Sequence, residues 1–231
     1  MKFSIITLFP EVFEPILNSS ILKRAQKKSL VEFELINLRD FGEGRHQVVD
    51  DRPYGGGAGM VLKADILAKA LKSITSKLRT TNYELRTILM SASGNPYKQK
   101  KAMEFSKLDH LIIVCGHYEG VDQRFIDKYV NEEISIGDYV LTGGEVPAMV
   151  IVDSITRLIP RVLKKPEATI NESFSTNLLE HPQYTRPEKF EGKKVPDVLL
   201  SGNHAAVDKW RNQKSLEKTK EIRPDLIIQT D

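Results

Sequence analysis

The chain has 231 residues, 40% of them hydrophobic and 28% charged, with a net charge of only +3. This composition supports a real core and excludes a disordered or low-complexity chain. No run approaches the ~20 apolar residues of a membrane span, and a single cysteine, Cys115, excludes an internal disulfide and favours a reducing compartment. The mild basic excess permits a nucleic-acid partner without requiring one. The N-terminal MKFSIITLFPEVFEP lacks the apolar length and cleavage site of a signal peptide, so the expected location is the cytoplasm, with no membrane partner.

Residues 3–8 read as a buried strand and residues 11–30 as a helix with a basic C-terminal end. Val31, Phe33 and Leu35 alternate with polar residues as in a strand. Residues 39–60 are loop-like, dense in glycine and charge. A helix is expected over 64–78. TILMS (87–91) and LIIVC (111–115) are short apolar runs followed by glycine, with a helix over 98–106 between them. Residues 144–158 read as a helix with Pro147 in its first turn, where proline is tolerated. Strands alternating with helices predict an α/β layer with a mostly parallel sheet and helices on both faces. The texture changes at Pro160: five of the eleven prolines lie between 160 and 196. A linker over 161–175 is expected there, then a small helical domain over 176–231 in which Asn203 caps a helix reaching about Lys220. That helix carries Lys209, Arg211, Lys214, Lys218 and Lys220, a pattern that usually marks a solvated face.

No G-x-x-x-x-G-K-[ST], G-x-G-x-x-G or G-x-S-x-G motif occurs, and the five histidines and one cysteine have no zinc spacing. Three glycine-marked loops remain beside apolar runs: SASG, CGHYEG and IGDYVLTGG. Ligands of parallel sheets bind beyond the carboxyl ends of strands. Backbone groups there can read an adenine edge, and the acids Glu119, Asp122, Asp138 and Glu145 suit a ligand of positive or mixed charge better than bare phosphates. The alternative is that these glycines only shape tight turns. A second constellation, RHQVVDDRPYGGGAGM (45–60), has the paired acids, arginine, tyrosine and glycines of a substrate-facing loop.

DDRPYGGGAGM (50–60), LIIVCGHYEGVD (111–122), SIGDYVLTGGEVPAM (135–149), LLEHPQYTRP (178–187) and VPDVLLSGNHAAVDKWR (195–211) occur in this order. Together they closely resemble the bacterial tRNA (guanine-N(1)-)-methyltransferase family, TrmD, of the SPOUT class, over essentially the whole chain. The resemblance implies a deep trefoil knot in a methyltransferase domain over 1–160, a fold that general rules on chain connections would not predict. It implies a homodimer whose active sites are shared between subunits, and methyl transfer from S-adenosylmethionine to N(1) of guanosine 37 of tRNA, with Mg2+ as a further requirement.

By the same resemblance the cofactor residues are Leu89, Met90, Ser91, Gly116, Tyr118, Glu119, Ser135, Ile136, Gly137, Asp138, Tyr139, Val140, Leu141, Gly143, Gly144 and Pro147. The tRNA residues are His46, Asp50, Arg52, Gly59, Asn203, His204 and Arg211, and the small domain docks on the tRNA. Arg157 takes the place of the family's cation. Glu172 falls where the family has an aspartate base; a longer carboxylate keeps the chemistry but changes its reach. Two other readings stand beside this one: a catalytically silent RNA- or nucleotide-binding protein on the same scaffold, and a related SPOUT enzyme with another RNA target.

Overall fold

Six consecutive residues, HLIIVC, form a strand with no exposed side chain, and the sheet is built outward from it. The computed structural model describes residues 1–76, 83–165, 169–170 and 172–228. It divides into two compact units, Met1–Lys164 and Lys165–Asp231. The first unit runs β1 (Lys2–Thr7), α1 (Glu14–Leu17), α2 (Ser20–Lys27), β2 (Glu32–Asn37), β3 (Asp50–Asp51), β4 (Val61–Leu62), α3 (Ala64–Thr75), β5 (Leu85–Pro96), α4 (Gln99–Phe105), β6 (His110–Cys115), α5 (Gln123–Tyr129), β7 (Glu132–Ser135) and α6 (Glu145–Thr156). Five strands form one sheet in the order β2-β1-β6-β5-β7. Every pair in it is parallel.

Side chains of a strand alternate between faces, so a continuous apolar run must be covered twice. Leu111, Ile113 and Cys115 share one core with Leu22 and Ala25 of α2, Phe105 of α4 and Ala148, Ile151 and Ile155 of α6. Ile112 and Val114 share the other with Ile66, Leu67 and Leu71 of α3 and Phe125 of α5. The α/β expectation, a parallel sheet with helices on both faces, is what the first unit shows.

Three elements differ from the sequence reading. The helix expected over 11–30 is broken into α1 and α2. Asn18 Nδ2 donates back to the Glu14 carbonyl (2.9 Å) and Ser19 Oγ to that of Ile16 (2.8 Å), so polar side chains satisfy carbonyls that a continuing helix would use. The strand expected over 87–91 continues to Pro96. Ile134 is opposite both Met90 and Asn95, so residues 91–94 leave the ladder and return. Helix α5 has no counterpart in the sequence reading, because its QRFIDKY sequence buries only Phe125. Helix α3 ends at Thr75; residues 77 and 78 of the longer expected helix lie outside the described residues, as do 166–168 and 171 of the expected linker.

The second unit contains a hairpin of β8 (Lys189–Phe190) and β9 (Lys193–Lys194), then α7 (Asp197–Leu200), α8 (His204–Ile222) and α9 (Asp225–Ile228). Glu191 and Gly192 turn the hairpin with φ of 46° and 84°, the two positive values of the preferred two-residue turn. Asn203 caps α8, its side chain accepting from Ala206 N at 3.2 Å. Thr219, fully buried, accepts from Leu179 N (2.8 Å) and donates to the Ser215 carbonyl (2.6 Å).

At the opposite end of the sheet from the glycine loops, Lys2 Nζ bridges Glu32 (3.1 Å) and Glu34 (2.9 Å). Ser4 Oγ donates to Glu34 (2.9 Å) and is 2.9 Å from His110 Nε2. A hydroxyl has one hydrogen, so His110 must donate from Nε2. His110 Nδ1 is then a bare, buried nitrogen with no partner among the described residues. Burial, and then the nearby Lys2 cation, push the His110 pKa down from 6.5 to about 4. The unfolded chain therefore takes up a proton between these values that the folded chain refuses. The resulting stability is complete above pH 6.5 and is lost as pH falls towards 4, by about 1.4 kcal/mol per pH unit. In urea unfolding at pH 7, 6 and 5, the stability difference between wild type and His110→Gln should shrink as pH falls, less between 7 and 6 than between 6 and 5, where it approaches that slope; parallel profiles would refute the assignment.

Candidate active site at the strand ends

The excursion of β5 after Met90 converges with the carboxyl ends of β6 and β7. Residues after Met90, after Cys115 and after Ser135 line one cavity of ≈ 510 Å³, within the ~300–1,000 Å³ usual for small-molecule sites. Of the sixteen residues expected to bind the cofactor, fifteen are in its lining; Asp138 is not. The lining also includes Ser93 and Thr142, from two of the three glycine-marked loops, and Gln123, Ile126 and Glu133, which the sequence reading misses. Gln123 and Ile126 are three apart on α5, and the Asp-Gln start of that helix is their only signal. Asp122 caps α5, accepting from Arg124 N at 2.9 Å. The Arg124 side chain, bonded at 3.0 and 2.7 Å, holds the Asp122 carboxyl below its ordinary range.

Two glycines of this wall, Gly116 and Gly144, meet backbone where a side chain would begin, and two others, Gly137 and Gly143, meet side chains of the same wall. Gly144 N donates to the Gly116 carbonyl at 2.8 Å, and His117 and Gly143 form an antiparallel bridge. A Cβ on Gly144 would stand 2.7 Å from Cys115 Cα and 2.8 Å from Gly116 N. The start of α6 thus lies directly on the end of β6. The following loop is held by its own polar groups: Ser135 Oγ donates to the Gly137 carbonyl (3.0 Å), and Tyr139 N donates to the same oxygen (2.9 Å). Val140, at 86% exposure, and Leu141 leave an apolar rim open to solvent.

The 39–60 loop is fastened beside this wall. Strands β3 and β4 pair antiparallel, with Asp50 opposite Leu62. Glu119 N donates to the Met60 carbonyl (3.0 Å), Leu62 N to that of Gly120 (3.0 Å) and Asp122 N to that of Leu62 (3.1 Å). Gly59 has φ of +83°, a conformation suited to glycine, and the Glu119 side chain fills the place of its missing Cβ. Of the residues expected to meet tRNA, Asp50 and Gly59 are therefore tied to the cavity loop. Arg52 is exposed on the hairpin and His46 on the preceding turn, neither lining the cavity. Tyr54 is 98% exposed. Arg157 ends α6 as its C-cap residue in the first unit. In the second unit, the Glu172 carbonyl accepts from Ser175 N (3.2 Å) and Oγ (2.7 Å). There too, Asn203 and His204 begin α8, while Arg211 reaches Asp208 at 3.4 Å.

Among the described residues, no group of three or more His, Cys, Asp or Glu side chains could hold a metal ion. The charged side chains in the cavity wall are Glu119 and Glu133, with neither lysine nor arginine among the described lining residues. An acidic, glycine-walled cavity of this size suits a small ligand carrying positive charge. The dihedral angles of Gly144 (φ −82°, ψ −2°) suit alanine, so Gly144→Ala tests the backbone contact alone. It should cost about 1–3 kcal/mol through overpacking and lower the Tm by several degrees; an unchanged melting curve would show that the contact is slack.

The comparisons with known proteins agree with this architecture. The family model described as tRNA (Guanine-1)-methyltransferase TrmD matches residues 1–229. The tRNA (guanine-N(1)-)-methyltransferase of Bacillus pumilus (strain SAFR-032) is 55% identical over 227 residues, covering 98% of this chain and 92% of the relative. Those of Bacillus subtilis (strain 168) and Listeria innocua serovar 6a (strain ATCC BAA-680 / CLIP 11262) are 52% and 50% identical with the same coverage. A match over nearly the whole length, at half identity, places the cavity and the loops around it in one family: the chain belongs to the tRNA (guanine-N(1)-)-methyltransferases, TrmD.

Proposed function

We propose that this tRNA (guanine-N(1))-methyltransferase takes its methyl group from S-adenosylmethionine bound in the acidic cavity and delivers it to guanosine 37, beside the anticodon. The observation that carries this reading is the convergence of three strand-end loops on one cavity walled by backbone and by acids. Backbone amides and carbonyls of residues 136–141 suit the adenine edge. Glu119 and Glu133 suit the cationic end of the donor. The bound donor supplies an electrophilic methyl group on a positively charged sulfur.

Guanine N(1) carries a proton and is a poor nucleophile. Glu172 is read as the carboxylate that accepts this proton, a contribution of ~10²–10⁴-fold for a positioned base. Negative charge then spreads to O6, where the Arg157 guanidinium is read as the stabilising cation. The target base must leave its stack to meet the methyl group. Family resemblance supports a homodimer with each active site drawn from both subunits. It also supports a trefoil knot in the 1–160 methyltransferase domain, a linker over 161–175 and a tRNA-docking domain over 176–231. His46, Asp50, Arg52, Gly59, Asn203, His204 and Arg211 are read as tRNA contacts. The exposed Lys209 and Lys220 add to the basic surface of α8. The magnesium implied by the resemblance has no ligand set among the described residues, and the steps above use protein side chains alone. No helix among the described residues is long and apolar enough to cross a membrane, and a tRNA substrate fits a cytoplasmic enzyme.

Labelled S-adenosylmethionine should methylate a tRNA transcript with guanosine at position 37 and spare one with adenosine there. No transfer to either, with the donor bound, would favour the silent-binder reading. Glu172→Gln should lower kcat by ~10²–10⁴-fold. Donor affinity, measured by calorimetry, should stay within about twofold, because a base that acts in the transition state adds nothing to ground-state binding of the donor. Unchanged turnover would remove Glu172 as the base.

A further inference from the structure

Glu145 has no role in the mechanism proposed above, yet it is 7% exposed and lies in the first turn of α6. Its Oε1 accepts from Thr7 Oγ1 at 2.8 Å, and Thr7 Oγ1 accepts in turn from Phe9 N at 3.0 Å. Thr7 itself is buried at the end of β1. Among the described residues Glu145 forms no ion pair. Its second oxygen lies against Gly143, where a side chain on that glycine would begin, and the His117 ring packs on the same glycine. Gly143, Gly144 and His117 all line the cavity. The carboxyl group is therefore one glycine behind the cavity wall.

A buried carboxylate without a counter-ion is costly. One hydroxyl donor and the first turn of a helix offset only part of that cost. A cation in the cavity supplies what is missing. We infer that Glu145 is the buried counter-charge by which this cavity prefers a sulfonium methyl donor over its neutral-sulfur product. The inference rests on the donor reading and assigns Glu145 to specificity, with no contact to the reacting atoms. In the transfer, the new bond forms between guanine N(1) and the methyl carbon. The carbon–sulfur bond breaks, its electron pair stays on sulfur, and the N(1) proton goes to the base. Sulfur thus enters charged and leaves neutral. A fixed negative charge behind the wall attracts the first state and is indifferent to the second, so it favours exchange of product for fresh donor.

Calorimetry on the full chain tests this, with S-adenosylmethionine and S-adenosylhomocysteine as probes. Glu145→Gln keeps an acceptor for Thr7 and removes only the charge. It should weaken the sulfonium ligand about tenfold and the neutral one less than about twofold. In turnover it should raise the donor KM without lowering kcat, a split that a merely structural role would not produce. Equal weakening of both ligands, or no change in either, would overturn the inference. Glu145→Asp keeps the charge and shortens its reach, so it should preserve the ratio of the two affinities within about threefold even where both fall. A ratio shifted towards the neutral ligand in that variant would overturn the inference too, and this arm decides alone if the Gln variant does not fold. Failure of the wild type to bind either probe would instead remove the donor reading, and this inference with it.

Discussion

The contact on which the rest of this site depends is backbone against backbone. The first residues of α6 lie on the last residues of β6, with Gly144 N bonded to the Gly116 carbonyl and no room for a side chain between Gly144 and Cys115. Because β6 is the buried middle strand, its end cannot move to make space. Because α6 buries Ala148, Ile151, Val152 and Ile155 against the sheet, its start cannot retreat either. The excursion within β5 and the loops after β6 and β7 are thereby fixed relative to one another, and the cavity between them is largely formed before any ligand arrives. Such preformed walls reduce the ordering that binding must impose.

What is legible in the sequence follows the strength of each local signal. TILMS and LIIVC read as buried strands because each apolar run is too short for a buried helix and is closed by a nearby glycine. Asn203 reads as a cap because its side chain bonds locally. The break between α1 and α2 escapes a sequence reading because Asn18 and Ser19 act by returning hydrogen bonds to the preceding turn, which periodicity does not register. The departure of residues 91–94 from the ladder escapes it because the pairing of β7 with both sides of it is a long-range event.

The site divides the same way. Its glycine loops announce themselves, and so do their acids. The meaning of the glycines is only half legible: several are required by contact within the protein, which no residue pattern reveals. Gln123, Ile126 and Glu133 carry no motif, and they reach the cavity only because α5 and β7 flank the loops that do. The link between Gly59 and Glu119 joins segments sixty residues apart, and it gives DDRPYGGGAGM a physical tie to CGHYEG that neither stretch shows alone.

Cys115 lies at the end of β6, beneath this junction. Burial, and then the neighbouring Glu145, push its thiol well above the ordinary range. Thiolate is the reactive form, so alkylating reagents and oxidants find almost nothing to attack while the sheet is closed. The chain has no other cysteine. Its chemistry with a thiol probe therefore serves as a clock: the rate of labelling counts how often the middle of the sheet opens, one residue before the cavity wall begins, without any added reporter.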